Sequence, residues 1–402
     1  VVDTGSSDRT VEIAREMGAK IFFFPWINDF AAAKNFAIDQ AKGDWIAFLD
    51  ADESFTPEDT KKIPEILEYV GDDVDGLLTG IVDLDENNNI TSGGTMIRFF
   101  VNRPDLRYVG KIHEHLVRKG RSGLHLTDAT KQLAFLHTGY QEQEKKDKSK
   151  FERNLNIILE ILKQDPENCD YLGYLGDTYS SDGKNEEARD AYKKAVAAMP
   201  EKLEVYDQRS SYTYTNLLRV SQCLNAPEAE VEAIYKEAVE KLPKEPDFDC
   251  VMGDWYWGKG QYEKAVQMYE LAIAKLETYG TVNRGIITTS MLIQMYECLG
   301  EGCRKLGDYQ KAVRYCVIVL NTDHKDMINC FTESNVSAEE IVQFLGKIYD
   351  YSDIKDKVIL LRVAMAMGRK DLERMFRGIL LPQEREEFDA AMETAQSGAP
   401  LS

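Results

Sequence analysis

From residue 1 to about residue 110, short apolar runs alternate with amphipathic stretches, the pattern of β-α-β units around a mostly parallel sheet. Strands are predicted at Val1-Val2 and over residues 21–24 and 45–49. Helices are predicted over 8–17, stopped by Gly18, and over 30–41, stopped by Gly43, each glycine standing where a left-handed C-terminal cap would sit. After the third strand, Thr56 can cap a helix, with Pro57 at its first position and Asp59 reaching back, which carries the helix to about Val70. The pattern from 82 to 139 is less regular: 83–89 reads as a turn, 96–101 and 112–117 as strands. A charged run over 140–150 follows, and the domain boundary is expected there, with residues 1–140 as an α/β domain and 141–165 as a linker helix.

Beyond the linker the period becomes helical and repetitive. Leu172, Leu175-Gly176, Tyr179, Gly183, Ala188, Tyr192, Ala195 and Pro200 match the tetratricopeptide pattern. A second copy runs through Met252-Gly253, Tyr256, Gly260, Ala265, Tyr269 and Ala272, and a third through Leu299-Gly300, Gly307 and Ala312; a degenerate one ends in Tyr235, Ala238 and Pro243. Small residues let paired helices approach while aromatics fill the gaps, so residues 166–330 are expected to form an all-α solenoid with a concave face, closed by capping helices over 331–402.

Composition fits this division and removes some functions. The 402 residues are 43% hydrophobic and 29% charged, a globular balance with enough chain for two domains. A formal charge of −20 repels phosphate backbones and anionic lipid, so no nucleic-acid partner is expected. No apolar run approaches the roughly 18–20 residues of a membrane span, and a soluble chain is expected. The seven cysteines all lie beyond residue 168 without a CxxC pair, and read as reduced, buried thiols of a cytoplasmic protein. Val1-Val2 reads as the end of a buried strand without a preceding methionine, so upstream residues are expected.

The sharpest chemical feature is Phe48-Leu49-Asp50-Ala51-Asp52-Glu53, an apolar strand running into carboxylates. Ligands of open α/β sheets bind at the carboxyl ends of strands. Asp-x-Asp on an extended segment sets both acids on one side, and oxygen ligands suit Mg²⁺ or Mn²⁺. The other use of such acids is to cap the following helix and face water.

The strings Val2-Asp3-Thr4-Gly5-Ser6-Ser7-Asp8-Arg9-Thr10, Asn28-Asp29-Phe30-Ala31-Ala32-Ala33-Lys34-Asn35-Phe36, Gly43-Asp44-Trp45-Ile46 and Leu49-Asp50-Ala51-Asp52-Glu53, in that order, resemble the inverting family 2 glycosyltransferases of the GT-A fold. With Arg98-Phe99, Tyr108-Val109-Gly110-Lys111-Ile112-His113-Glu114, Leu136-His137-Thr138-Gly139-Tyr140 and the repeats, the chain is similar to the bacterial peptide S-glycosyltransferases of glycocin biosynthesis. The resemblance implies a Rossmann-like GT-A catalytic domain, here without its first strand, and sugar transfer from a nucleotide donor, UDP foremost, with a divalent cation at the diphosphate. By the same resemblance, Asp3 would lie beside base and ribose, Lys34 facing the diphosphate, Asn35 and Ala51 at the donor, and Asp50 at the ribose or a metal-bound water. Asp50 and Asp52 would meet the metal, with His137 as a further ligand. Asp3-Thr4 replaces the adjacent acids of many relatives, and Lys34 an arginine.

Direct displacement with inversion needs a base opposite the leaving nucleotide. The family's usual Glu-Asp pair has no counterpart here, and His113-Glu114 takes its place, with Glu114 as base and His113 orienting it or meeting the diphosphate. The repeats are expected to bind a peptide or protein acceptor, through aromatics such as Tyr174, Tyr206, Tyr212, Tyr214, Trp255 and Trp257, or to build a homodimer. Two rival readings are a transferase acting on a glycolipid or polysaccharide intermediate, and a non-catalytic tetratricopeptide adaptor.

Overall fold

In the computed structural model the described residues are all except 72, 122, 139–147, 205–206, 281–284, 319–327, 329, 331–332, 335 and 398–402. They divide into two compact units, Val1–Asp182 and Gly183–Ser402.

In the first unit, β1 (Val2–Asp3) and β2 (Phe22–Phe23) form a parallel pair. Between them α1 (Thr10–Glu16) ends as its sequence suggests: Gly18 lies at φ 80°, and the N–H groups of Gly18 and Ala19 return to Arg15 and Ala14. Helix α2 (Phe30–Gln40) starts on Asp29, whose carboxylate accepts from the Ala32 N–H at 2.8 Å. It closes on extended Ala41, so Gly43 is not the expected left-handed cap. Helix α3 (Pro57–Tyr69) has Thr56 as N-cap, and the Asp59 carboxylate bonds Lys62 and lies 3.5 Å from the Ala134 N.

The main sheet is mixed, which corrects the mostly parallel expectation. Its order is β3-β6-β5-β10-β4, from β3 (Trp45–Ala47), β4 (Glu53–Phe55), β5 (Gly76–Leu84), β6 (Ile90–Val101) and β10 (Ala134–His137). The cause is the turn at Asp85–Asn89, where Asp85 accepts from the N–H groups of Asn87 and Asn89 and folds β6 back along β5. β3 and β5 both run antiparallel to β6, and β10 parallel to β5, so β3, β5 and β10 point the same way. A short β9 (Leu126–Asp128) pairs with the start of β5, ahead of β10, and β7 (Leu106–Val109) pairs with β8 (His115–Arg118). Alternation along β6 sends Phe100 to a core under α2 and Phe99 to a core under α3.

Helices α4 (Lys148–Gln164) and α5 (Cys169–Ser181) complete this unit. Ile157 and Ile158 of α4 are buried against Ile112, with Trp26, Phe30 and Tyr171 around them. The unit therefore extends to Asp182, past the boundary expected near residue 140, because α4 carries part of its core.

The second unit is helical: α6 (Asn185–Ala198), α7 (Gln208–Cys223), α8 (Glu228–Lys241), α9 (Asp247–Gly258), α10 (Tyr262–Tyr279), α11 (Ile286–Ser290), α12 (Leu292–Lys305), α13 (Tyr309–Ile318), α14 (Ala338–Leu345), α15 (Ile354–Ala366), α16 (Lys370–Ile379) and α17 (Pro382–Ser397). Two repeat glycines sit where helices meet: a Cβ on Gly253 would lie 2.6 Å from the Tyr269 ring, and one on Gly300 2.7 Å from Cys316 Sγ. Five cysteines are buried as free thiols, and burial raises Cys298 and Cys303 to about 11; Cys223, however, is exposed. Among the described residues no helix is long and apolar enough to cross a membrane.

Candidate active site at the carboxyl ends of the sheet strands

The chain leaving β3 makes one further sheet contact, Phe48 N–H to the Arg98 carbonyl, and then turns, with the Glu53 N–H bonded to the Asp50 carbonyl at 3.1 Å. Asp50, Ala51 and Asp52 thus lie in a turn, and the two acids diverge where an extended Asp-x-Asp would set them side by side.

Asp50 turns to Arg98 of β6, whose Nη2 is 2.8 Å from Oδ2; the same nitrogen bonds Glu53 Oε1, and Glu53 Oε2 accepts from the Asp50 N–H. The Arg98 and Glu53 side chains are only 6% and 2% exposed, whereas Asp50 is 47% exposed, so one buried ion pair fixes the turn and leaves Asp50 facing outward. Nε of Arg98 is buried without a hydrogen-bond partner.

Asp52 turns the other way. Pairing of β10 with β4 and β5 puts His137 opposite both Glu53 and Asp83. His137 Nδ1 lies 2.8 Å from Asp83 Oδ1, and Nε2 lies 3.5 Å from Asp52 Oδ2. The other Asp83 oxygen accepts from Ser92, and the Asp52 carbonyl is held by the Thr138 N–H at 3.1 Å. Burial pulls the imidazole pKa down, but the hydrogen bond to Asp83 and the charges of Asp52, Asp83 and Glu53 outweigh it and leave it raised. With Nδ1 protonated toward Asp83, Nε2 offers a lone pair beside Asp52, a donor set suited to a divalent cation. No group of three His, Cys, Asp or Glu side chains is arranged to hold a metal among the described residues, and Asp52 with His137 would offer two protein ligands to an ion placed there.

A second ion pair stands across two aromatic rings. Lys34 of α2 lies 2.7 Å from Glu114, both side chains mostly buried, and its ammonium sits 5.1 Å from the Phe48 ring centre and 5.0 Å from that of Tyr108. Burial, opposed by Arg98 and reinforced by Glu114, Asp50 and Glu53, pushes the Tyr108 phenol up to about 12. One phenol feels both ion pairs, which brings the acid turn and the Glu114 loop into one site. His113, an exposed residue, sits beside Glu114 at φ 55°.

Other expected donor contacts are engaged elsewhere. The Asn35 amide makes two hydrogen bonds with the Tyr108 backbone, at 2.8 and 2.9 Å, and so anchors α2 to β7. Asp3 accepts from the Gly5 and Ser6 N–H groups as an Asx turn, and its pKa is held down by the Ser6 hydroxyl first and then by those backbone bonds. Ala51 is exposed in the turn. Of the aromatics expected to face an acceptor, Tyr214 is fully buried and bonded to Glu237, Trp255 packs on Lys259, Trp257 packs edge-on to Tyr262, and Tyr206 falls outside the described residues, as does Tyr140. Arg98, Glu53, Asp83 and Tyr108 were not singled out from sequence as site residues, although an arginine inside the apolar run 96–101 was a visible signal.

Residues 1–120 match the family model "Glycosyl transferase family 2", and residues 171–201 and 251–280 match tetratricopeptide repeat models. The chain is 31% identical over 201 residues to the SPbeta prophage-derived glycosyltransferase SunS of Bacillus subtilis, covering 49% of this chain and 46% of that one. It is 28% identical over 287 residues to a TPR repeat-containing protein of Synechococcus elongatus, covering 68% of each. An uncharacterized glycosyltransferase of Rickettsia bellii is 41% identical over 70 residues, 17% of this chain and 22% of that one. The chain therefore carries a family 2 glycosyl transferase domain followed by tetratricopeptide repeats, and spans about half the length of the SunS relatives.

Proposed function

We propose that this protein transfers a sugar, with inversion, from a nucleotide donor, UDP foremost, to a peptide or protein acceptor. The observation that carries the reading is the convergence of Asp50, Asp52, Asp83 and His137 at the carboxyl ends of the like-directed strands β3, β5 and β10, largely inside the segment matched by the glycosyl transferase model. Among the described residues, Lys34 and Arg98 are the permanent cations paired within the five carboxylates of Asp50, Asp52, Glu53, Asp83 and Glu114, so a diphosphate there calls for added positive charge.

Asp52 and His137 Nε2 are the residues to hold that cation, with Asp83 fixing the tautomer. Bound Mg²⁺ or Mn²⁺ would neutralise the charge of the departing diphosphate. The outward oxygen of Asp50 is free to meet the ribose while Arg98 fixes its partner oxygen. Lys34 faces the diphosphate, and Glu114 takes the acceptor proton. The 2.7 Å ion pair holds the Glu114 carboxylate in place, and phosphate oxygens that draw Lys34 away would leave it open to the acceptor. The acceptor assignment draws on the repeats, modules that commonly bind polypeptide.

Calorimetry of UDP binding tests the donor site. The full chain should bind more tightly with Mn²⁺ or Mg²⁺ than with chelator, and Asp52→Ala should abolish that difference. Equal affinity with and without the cation would remove the metal from the account.

A further inference from the structure

We infer that Tyr174, on the helix that opens the first repeat motif, is a positioning residue that fixes His113 and Glu114 in the reactive arrangement. This rests on the sugar-transfer reading above. It also assigns α5 a part in the chemistry of the N-terminal unit.

The loop from Gly110 to Glu114 has an improbable backbone. Gly110 lies at φ 94° and His113 at φ 55°, the latter in a left-handed conformation that a side chain disfavours and that persists only where the surroundings over-determine it. Those surroundings are visible. The Lys111 carbonyl accepts from the Phe30 N–H at 2.9 Å, which ties the loop to the start of α2. Ile112 is buried against Ile157 and Ile158 of α4. The Tyr171 hydroxyl lies 3.5 Å from where a Cβ on Gly110 would stand. The His113 ring lies flat on Tyr174, with centroids 4.0 Å apart and planes at 14°.

Tyr171 and Tyr174 are one helical turn apart and therefore share a face, and their rings meet edge to face at 5.9 Å. The helix register is set at its first turn, where the Asn168 side chain accepts from the Tyr171 N–H at 3.2 Å. Support thus runs from the Asn168 cap through the tyrosine pair to His113, and then to the next residue, Glu114, on Lys34. Without the flat face of Tyr174, the strained His113 backbone loses the contact that holds its ring, and Glu114 shifts with it. A base displaced by an ångström weakens catalysis far more than donor binding, whose contacts lie on other elements.

Full-length Tyr174→Phe and Tyr174→Leu distinguish the stack from mere filling of space. Two readouts are needed: steady-state turnover of the consumed nucleotide sugar, and amide hydrogen exchange over residues 108–116. Tyr174→Leu should lower kcat by roughly tenfold or more with donor KM changed less than about threefold, and should speed exchange at residues 111–114. Tyr174→Phe, which keeps the ring, should stay within about twofold of wild type in both. The inference is overturned if Tyr174→Leu leaves exchange in the loop unchanged, if Tyr174→Phe is as impaired as Tyr174→Leu, or if the loss of turnover equals a loss of folded protein. If the wild type consumes no nucleotide sugar, the transferase reading fails, while the exchange measurement still decides whether Tyr174 fixes the loop.

Discussion

Glu114 and His137 show how much of a residue's role depends on partners that sequence does not display. Glu114 was expected as the base, and the structure adds Lys34 at 2.7 Å as its ion-pair partner. Glu114→Gln should lower sugar transfer by roughly 10²–10⁴-fold while UDP binding persists, because the amide keeps the shape and loses the proton acceptor. Loss of UDP binding in parallel would make Glu114 a support for Lys34 instead. His137 was expected as a metal ligand, and its pairing with Asp83 was not legible, since the two are 54 residues apart in sequence. Its folded-state pKa is raised above 6.5, so its stabilising effect is complete below about pH 6.5 and is lost as the pH rises through the folded value. With chelator present, the melting-temperature gap between wild type and His137→Gln should therefore be wider at pH 5.5 than at pH 8. A gap that widens toward alkaline pH would contradict the assignment.

At the scale of elements, local signals were legible where a single residue type settles the geometry: Thr56 caps α3, Gly18 closes α1, and Gly253 and Gly300 of the repeats stand at helix contacts. Strands β5, β7, β9 and β10 were not separately read, because a short strand gets its identity from neighbours far away in sequence. The same dependence hid the mixed sheet. The glycines of α9 give a test with two opposite signs. Gly253→Ala places a methyl 2.6 Å from the Tyr269 ring and should destabilise the chain by about 1–3 kcal/mol. Gly258→Ala meets nothing within 4 Å and should stabilise by about 0.4–1 kcal/mol. Thermal or urea unfolding reads both, and equal effects would show that the Gly253 contact is not the reason for that glycine.

For the whole molecule, sequence motifs located the acid turn and the Glu114 loop but not the extent of the unit that holds them. A repeat helix read as part of the solenoid, α5, packs with α4 on the core around Ile112. A fragment ending at Asp182 should unfold cooperatively and keep its near-ultraviolet circular dichroism. One ending at residue 150 exposes Ile112, Trp26 and Phe30 and should lose that signal. If the shorter fragment is equally well packed, α4 and α5 are dispensable to the unit. The central claim, that the acid turn serves sugar transfer from a nucleotide donor, is met most directly by mass spectrometry of the full chain incubated with mixed nucleotide sugars, Mn²⁺ and candidate peptides. The account predicts release of a nucleoside diphosphate and a peptide heavier by one sugar, both abolished in Asp52→Ala; consumption of no nucleotide sugar by the folded wild type, or undiminished consumption by Asp52→Ala, would contradict it.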